Sequence, residues 1–201
     1  MARKDLKAGT LLAPLPAALV TVRDGEEDNV MTAAWTGILS SDPPRAYVSI
    51  RPTRHTHGML TRSREFALHL TTEELAHATD YCGVYTGAKV DKFEKCHLTK
   101  LESKCVGAPT IAQAPIVLEC RVFDVIPSGT HDIFLADIVH VTCDEALLDE
   151  GGRLRLEKAG LLAYAHGEYF TLGKPVGKFG FSAARQKRKK TSARPRSEKK
   201  G

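Results

Sequence analysis

Two arginines and a threonine lie in the segment Arg51–Thr56, where an apolar strand-like run ends and a short helix is predicted to begin. The N–H groups in the first turn of a helix have no partner within the helix. Together with the Thr56 hydroxyl and two guanidinium groups, they make a donor set suited to a phosphate. The alternative is that Thr56 only caps the helix and that both arginines are solvated. The residues of this segment leave both readings open.

Two further features have the same ambiguity. Lys89 and Lys92 lie close to Gly87 in a polar stretch, where they could contact an anion or form an ordinary solvated loop. Trp35 is the only tryptophan, and its ring could pack in the core or stack on a ligand.

Several common catalytic motifs do not occur. No G-x-G-x-x-G follows a strand, so a nicotinamide nucleotide is not expected on a Rossmann fold. The stretch from Gly167 to Pro175 resembles a P-loop but has one residue too many between its glycines, and Pro175 stands where Ser or Thr is required. Neither a G-x-S-x-G elbow nor H-E-x-x-H is present, so the sequence gives no support for a hydrolase.

The cysteines predict neither disulfides nor a metal centre. There are five, and no C-x-x-C pair occurs among them. Cys96, His97 and Cys105 lack a fourth ligand at a usual spacing, so we expect reduced thiols and no structural metal. Cys120 and Cys143 fall within apolar runs and are expected to be buried.

Length and charge indicate one globular domain with a basic tail. The chain has 201 residues, 42% of them hydrophobic and 26% charged. The net charge of +5 comes from residues 185–201, which carry +8, while residues 1–184 carry −3. We therefore expect a folded domain over 1–184 and a disordered tail over 185–201, with nucleic-acid binding as the main role disfavoured. No apolar run is long enough to span a membrane and no signal peptide is recognisable, so we expect a cytoplasmic protein.

The pattern of apolar residues favours strands over helices. Strands are predicted at 17–22, 30–36, 46–50, 66–70, 116–125 and 133–142, with short ones near 154–156 and 169–172. Helices are predicted at 56–63 and at 71–82 with Thr72 in a hydroxyl-rich cap, and 83–115 is expected to be a long, functional excursion. Because strands and helices do not alternate, the fold class expected is mainly β: an antiparallel, Greek-key-like barrel with a few helices.

Taken in order, these segments resemble the flavin reductase family with the FMN-binding split-barrel fold, and within it the flavoredoxin-like branch. The resemblance covers about residues 10–180 and is carried by the following motifs: Asn29–Trp35, Ser49-Ile-Arg-Pro-x-Arg-x-Thr56, Gly83-x-x-Thr-Gly-x-x-Val-Asp-Lys-Phe93, Ala114-Pro115 before Leu118-Glu-Cys120, Gly129–Phe134, Tyr164, and Tyr169-Phe-x-Leu-Gly173. It implies a split β-barrel that binds FMN near the interface of a homodimer.

The resemblance also implies which residues bind the cofactor. Asn29, Thr32 and Trp35 would line the isoalloxazine ring, with His131 and Tyr164 beside it. The phosphate would be held by Arg51, Arg54 and Thr56, while Thr86, Lys89 and Lys92 would reach the phosphate or the ribityl chain. Met31, Ser49 and Phe93 complete the set within the same motifs. Thr86 stands where the family is expected to have serine, but the hydroxyl is kept.

The function implied is reduction of FMN by NADH or NADPH through hydride transfer, in which the cofactor carries the chemistry. Lys92 and His131 are candidates for stabilising the reduced ring. Three alternatives stay open: a flavoredoxin-type electron carrier that receives electrons from a redox protein partner, an oxidase of the pyridoxamine-phosphate type, and a nucleic-acid binder that uses the basic tail.

Overall fold

The computed structural model describes residues 1–183, so the expected tail at 185–201 lies outside the described residues. It contains twelve strands and three α-helices. The strands are β1 Leu15–Pro16, β2 Ala18–Asp24, β3 Glu27–Ala33, β4 Thr36–Ser41, β5 Pro44–Ile50, β6 Glu65–His69, β7 Lys100–Leu101, β8 Thr110–Ile111, β9 Ile116–Ser128, β10 His131–Cys143, β11 Leu162–Ala165 and β12 Glu168–Thr171. The helices are α1 His55–Ser63, α2 Ala76–Val84 and α3 Lys92–Lys95, with short 3₁₀ helices at Glu73–Leu75, Glu145–Leu147, Leu156–Lys158 and Phe181–Ala183.

Seven strands form one antiparallel sheet in the order β3-β2-β6-β9-β10-β5-β4. Its two outer strands, β3 and β4, are consecutive in the chain and are joined by a bend at Ala34 and Trp35, which brings the sheet edges together. The Ser49 N–H donates to the Trp35 carbonyl at 2.9 Å and fixes this bend to β5. A second sheet, β1-β11-β12, and the ribbon β7-β8 complete the fold. The predicted fold class, a mainly antiparallel split barrel with few helices, is confirmed.

The interior of the barrel is filled by apolar side chains that alternate along its strands. In β2, Val20 and Val22 point inward and are fully buried. Met59 and Leu60 of α1 join the same cluster, so this helix closes the barrel with its apolar face. The first turn of α1 is thereby held at the barrel edge.

A second apolar cluster lies on the outer side of β2 and β3. Leu19 and Val30 face outward there and are covered by Leu75, Ala78 and Cys82 of the helical segment that ends in α2. Further residues of this cluster are Phe93, Leu98 and Ile111. Because β2 is apolar on both faces, it is buried between α1 and α2 and fixes both helices relative to the sheet.

Residues 83–115, expected as a long loop, are more ordered than the sequence suggested. They contain α3 and the ribbon β7-β8, and the Asp91 carboxylate caps α3 by accepting from Phe93 N and Glu94 N at 2.9 and 3.1 Å. Buried polar groups attach the segment to the sheet: the Glu119 carboxylate accepts from the N–H groups of Lys104 and Cys105 at 3.0 and 2.6 Å.

Other expectations at the level of elements need correction. The run 30–36 is two strands, because the chain bends at Ala34–Trp35, and β11 was not predicted. The β9–β10 connection is a tight turn at Gly129 and Thr130, not the seven-residue link expected, because both strands continue to the turn. Cys143 is exposed, since it lies at the end of β10 beyond the covered part of the sheet.

The helix starts also differ from expectation. Arg54 occupies the N-cap position of α1, and Thr56 lies within the helix, where its hydroxyl accepts from the Asn29 side chain. Thr72 precedes the next helical segment as predicted but makes no side-chain cap hydrogen bond. Within residues 1–183, no helix has the length and apolar character needed to cross a membrane.

Candidate functional site

A cavity of about 470 Å³ opens at the edge of the barrel, between β3, β5, α2 and the hairpin β11-β12. The bend at Trp35, the loop after β5 and the first residue of β10 complete its walls. Its lining residues are Ala17, Met31, Thr32, Ala33, Ala34, Trp35, Ser49, Ile50, Arg51, Arg54, Asp80, Gly83, Val84, His131, Tyr164, Gly167 and Tyr169. The cavity thus gathers parts of the chain that are far apart in sequence.

One end of this cavity is aromatic. The Trp35 and His131 rings lie with their centroids 4.5 Å apart and tilted by 43°, and Tyr164 and Tyr169 lie 5.5 Å apart on the opposite hairpin. Trp35 is 37% exposed, so its ring belongs to the cavity wall and not to the core. Aromatic faces of this kind favour the stacking or edge-on packing of a planar ligand.

The other end is cationic. Arg51 and Arg54 both line the cavity from the loop between β5 and α1. The Arg54 guanidinium donates from Nη1 to the Gly83 carbonyl at 3.1 Å, which directs it toward the C-terminal turn of α2. Both side chains come from the segment whose sequence suggested an anion site.

A narrow crevice adjoins this cationic end and shares Met31 and Arg54 with the main cavity. Asn29, Thr56, Thr86 and Lys92 also line it. The Asn29 side chain donates from Nδ2 to Thr56 Oγ1 at 2.7 Å. A Cβ atom added at Gly87 would lie 2.1 Å from Asn29 Oδ1, so only glycine permits this loop to approach Asn29 so closely.

Lys92 brings a buried positive charge to the crevice. Its side chain is 3% exposed, and Nζ donates to the Cys82 and Tyr85 carbonyls at 3.3 Å each. Burial, with a smaller contribution from the charge on Arg54, lowers the pKa of Lys92. Neither Lys92 nor Arg54 is a member of an ion pair formed within residues 1–183. Two neighbouring cations without a carboxylate partner are suited to an anionic ligand.

The cavity wall also holds a polar pair that the sequence did not single out. The Tyr169 hydroxyl donates to Asp80 Oδ1 at 3.2 Å. Burial, and then the neighbouring Asp80 carboxylate, raises the pKa of Tyr169 to about 12. The two residues are 89 positions apart, so no local pattern could have indicated this contact.

His131 is neutral at neutral pH. Partial burial and the charge of Arg51 lower the pKa of its imidazole below the usual value. Its Nδ1 lies 2.9 Å from the Thr130 hydroxyl, so Nε2 is left to face a ligand beside Trp35. A neutral imidazole there can exchange a hydrogen bond with a polar ring edge.

The structure brings together most of the residues predicted as a binding site. Eight line the cavity: Met31, Thr32, Trp35, Ser49, Arg51, Arg54, His131 and Tyr164. Four line the adjoining crevice: Asn29, Thr56, Thr86 and Lys92. Two lie apart from both. Phe93 is buried in the outer apolar cluster because its side chain points away from the crevice that Lys92 lines, and Lys89 is exposed on the loop after Thr86.

The two histidines beside Thr56 do not form a pair. His55 Nε2 lies 2.6 Å from Glu27 Oε1, whereas His57 Nε2 lies 2.7 Å from Asp132 Oδ2. The two rings therefore contact different carboxylates on different strands. The part of the chain covered by residues 1–183 holds no cluster of three or more potential metal ligands.

An antiparallel barrel with an aromatic cavity and unpaired cations at its edge defines a class of protein that binds a planar ring joined to an anionic group. The sequence profile of the flavin reductase like domain matches residues 11–173. The chain belongs to the flavin reductase-like family.

Solved structures and curated relatives agree with this family. The chain is similar to flavoredoxin of Desulfovibrio vulgaris (Miyazaki F), with a TM-score of 0.84 and 32% identity over 90% of this chain and 99% of that one. It is similar to an FMN-binding protein from Thermus thermophilus with bound 1-cyclohex-2-enone, with a TM-score of 0.75 and 32% identity over 89% and 97% of the two chains. An NADH:riboflavin 5'-phosphate oxidoreductase of Streptomyces pristinaespiralis is 29% identical over 63% of this chain and 69% of its own length.

The residues present fit FMN. The unpaired cations Arg54 and Lys92, with the Thr56 and Thr86 hydroxyls, have the chemistry that a phosphate monoester requires. The Trp35 and Tyr164 rings have the chemistry that an isoalloxazine ring requires. FMN-binding oxidoreductase chemistry is thus the general character of the family and of this site.

Proposed function

We propose that this protein binds FMN in the cavity beside Trp35 and catalyses its reduction by NADH or NADPH. The observation that carries the proposal is the buried, unpaired ammonium of Lys92 next to Arg54, at the end of a cavity whose other end is aromatic. A buried cation is costly unless an anion compensates it, and the phosphate of FMN is such an anion.

Each group has a role in this proposal. Arg51, Arg54 and Lys92 bind the phosphate, and the Thr56 and Thr86 hydroxyls donate to it. Asn29 holds Thr56 in place through its hydrogen bond of 2.7 Å. The exposed Lys89 is within the same loop and steers the anion by its charge.

The ring of the cofactor lies at the aromatic end in the same proposal. Met31, Thr32 and Ser49 form the wall of β3 and β5 against it, and Trp35 and Tyr164 flank it. His131 meets its polar edge as a neutral imidazole. FMN, when bound, supplies the hydride-accepting chemistry, and the protein positions the ring and keeps one face accessible.

The electron donor is tested by mixing the FMN-loaded protein with NADH or NADPH without oxygen and following the oxidised flavin band. The proposal expects bleaching by at least one of the two nucleotides. The similarity to an NADH-dependent Streptomyces oxidoreductase supports NADH as a donor. If neither nucleotide bleaches the band while dithionite does, the protein is not a reductase of this type.

The second candidate is an electron carrier that uses the same FMN site but receives electrons from a redox protein. The similarity to a flavoredoxin over nearly the whole of both chains favours it. The carrier would be reduced by a protein donor and not by either nucleotide, so the experiment above separates the two candidates.

We also propose that the protein is a homodimer. The edge strand β4 exposes Ile38 and Leu39 at 66% and 48%, and a second copy of this edge is a cover of matching character. Light scattering of the FMN-loaded protein at micromolar concentration tests this proposal, and a monomer mass would refute it.

A further inference from the structure

A second compartment of about 270 Å³ continues from the main cavity on the far side of Trp35. The two spaces share Trp35, Tyr164 and Gly167 as common walls. The remaining wall comes from the segment that precedes β1, together with the β11–β12 turn. These further lining residues are Thr10, Leu11, Leu12, Ala13, Leu15 and His166.

The position of this compartment relative to the cofactor follows from the proposed function. The cationic groups lie at one end of the main cavity, so a phosphate bound there directs the flavin ring toward Trp35 and Tyr164 at the other. The second compartment begins at those same two side chains. A molecule inside it is therefore next to the ring and far from the phosphate.

The walls indicate what this molecule is. Leu11, Leu12 and Leu15 supply apolar surface, and Trp35 and Tyr164 supply aromatic faces. Thr10 and His166 place polar groups at the rim, where they can bond to a carbonyl oxygen. The volume is just over half that of the main cavity, too small for a second flavin nucleotide but sufficient for one ring with a short substituent.

We infer that this compartment binds the ring of the molecule that exchanges electrons with the flavin, a planar six-membered ring bearing a carbonyl group. This inference rests on the proposed function. Two sources share that chemistry: the nicotinamide ring of an electron donor and a small cyclic or aromatic carbonyl compound. Residues 10–13 then set which rings are accepted, because they form the wall that faces away from the barrel.

The test uses the full chain loaded with FMN, with nicotinamide and 4-hydroxybenzaldehyde as two separate probes. Binding of each is followed by the change in the flavin absorption spectrum. Leu11→Trp fills the compartment with a larger side chain, and we expect the affinity for the ring probe to fall at least tenfold. FMN affinity is expected to be unchanged, because Leu11 does not line the main cavity.

The matched control is Leu6→Trp, which adds the same side chain at a residue that is 73% exposed and lines neither space. Loss of binding for nicotinamide alone or for the aldehyde alone supports the compartment and identifies the source, and loss for both supports a shared ring site. The inference is overturned if the wild-type protein binds neither probe, or if Leu11→Trp binds both as tightly as the wild type. Failure of the wild-type chain to take up FMN would instead refute the proposed function, so the two failures are distinguishable.

Discussion

Replacing Arg54 by alanine should weaken FMN far more than riboflavin, which has the same ring but no phosphate. A hydrogen bond to a charged group contributes about 1.5–3 kcal/mol, which corresponds to roughly a 10- to 150-fold change in Kd. Arg54 contacts the protein only through an exposed hydrogen bond to the Gly83 carbonyl at 3.1 Å, so its removal should lower stability by less than about 1 kcal/mol. Riboflavin affinity should then change by less than about twofold.

The assay is titration of each flavin by fluorescence quenching, with thermal melting of every variant in parallel. Arg62→Ala is the matched control, because Arg62 lies on the same helix and its Nε donates to Asp24 at 2.6 Å, outside the cavity. The control should bind both flavins as the wild type does. Equal losses of FMN and riboflavin in Arg54→Ala would refute the phosphate assignment, and a large drop in melting temperature would show that Arg54 is structural.

Three further predictions concern the crevice, the outer cluster and the sheet edge. Gly87→Ala should push Asn29 away from Thr56 and weaken FMN severalfold in the same titration, whereas alanine at Gly173, where no atom lies within 4 Å of the added Cβ, should be neutral. Burial lowers the pKa of His69 to about 4, so the stability held by its neutral ring is complete above pH 6.5 and is lost as the pH falls toward 4. Urea unfolding should show a loss of about 3 kcal/mol that a glutamine at this position removes, and an unchanged acid limb in that variant would contradict it. Ile38→Lys should shift the mass in light scattering from dimer to monomer, and a dimer that persists would exclude this edge as the interface.

The parts of the fold that could be predicted are those with a local signal. The alternation in β2 and the long apolar runs of β9 and β10 indicate strands, because one face or both must be buried. The break at Trp35 could not be predicted, since the chain bends there to close the barrel and no proline or glycine marks the bend. The Asp91 cap of α3 had a local signal, an aspartate three residues before Glu94, within a stretch predicted as loop.

The candidate site was predictable where its chemistry is concentrated in short segments. Arg51 and Arg54 follow a strand directly, so their sequence position already indicated an anion site. Asp80 and the walls of the second compartment could not be found in this way, because they meet the cavity only through long-range packing. Phe93 adjoins Lys92 in one motif but points into the outer cluster, since neighbouring residues on a helix face different directions.

The most direct test of the central claim is a crystal structure of the protein with FMN. The account predicts density for the ring between Trp35 and Tyr164, and for the phosphate within hydrogen-bond distance of Arg54 and of the Lys92 ammonium. FMN bound elsewhere on the molecule, or bound here with its phosphate at the aromatic end, would contradict it.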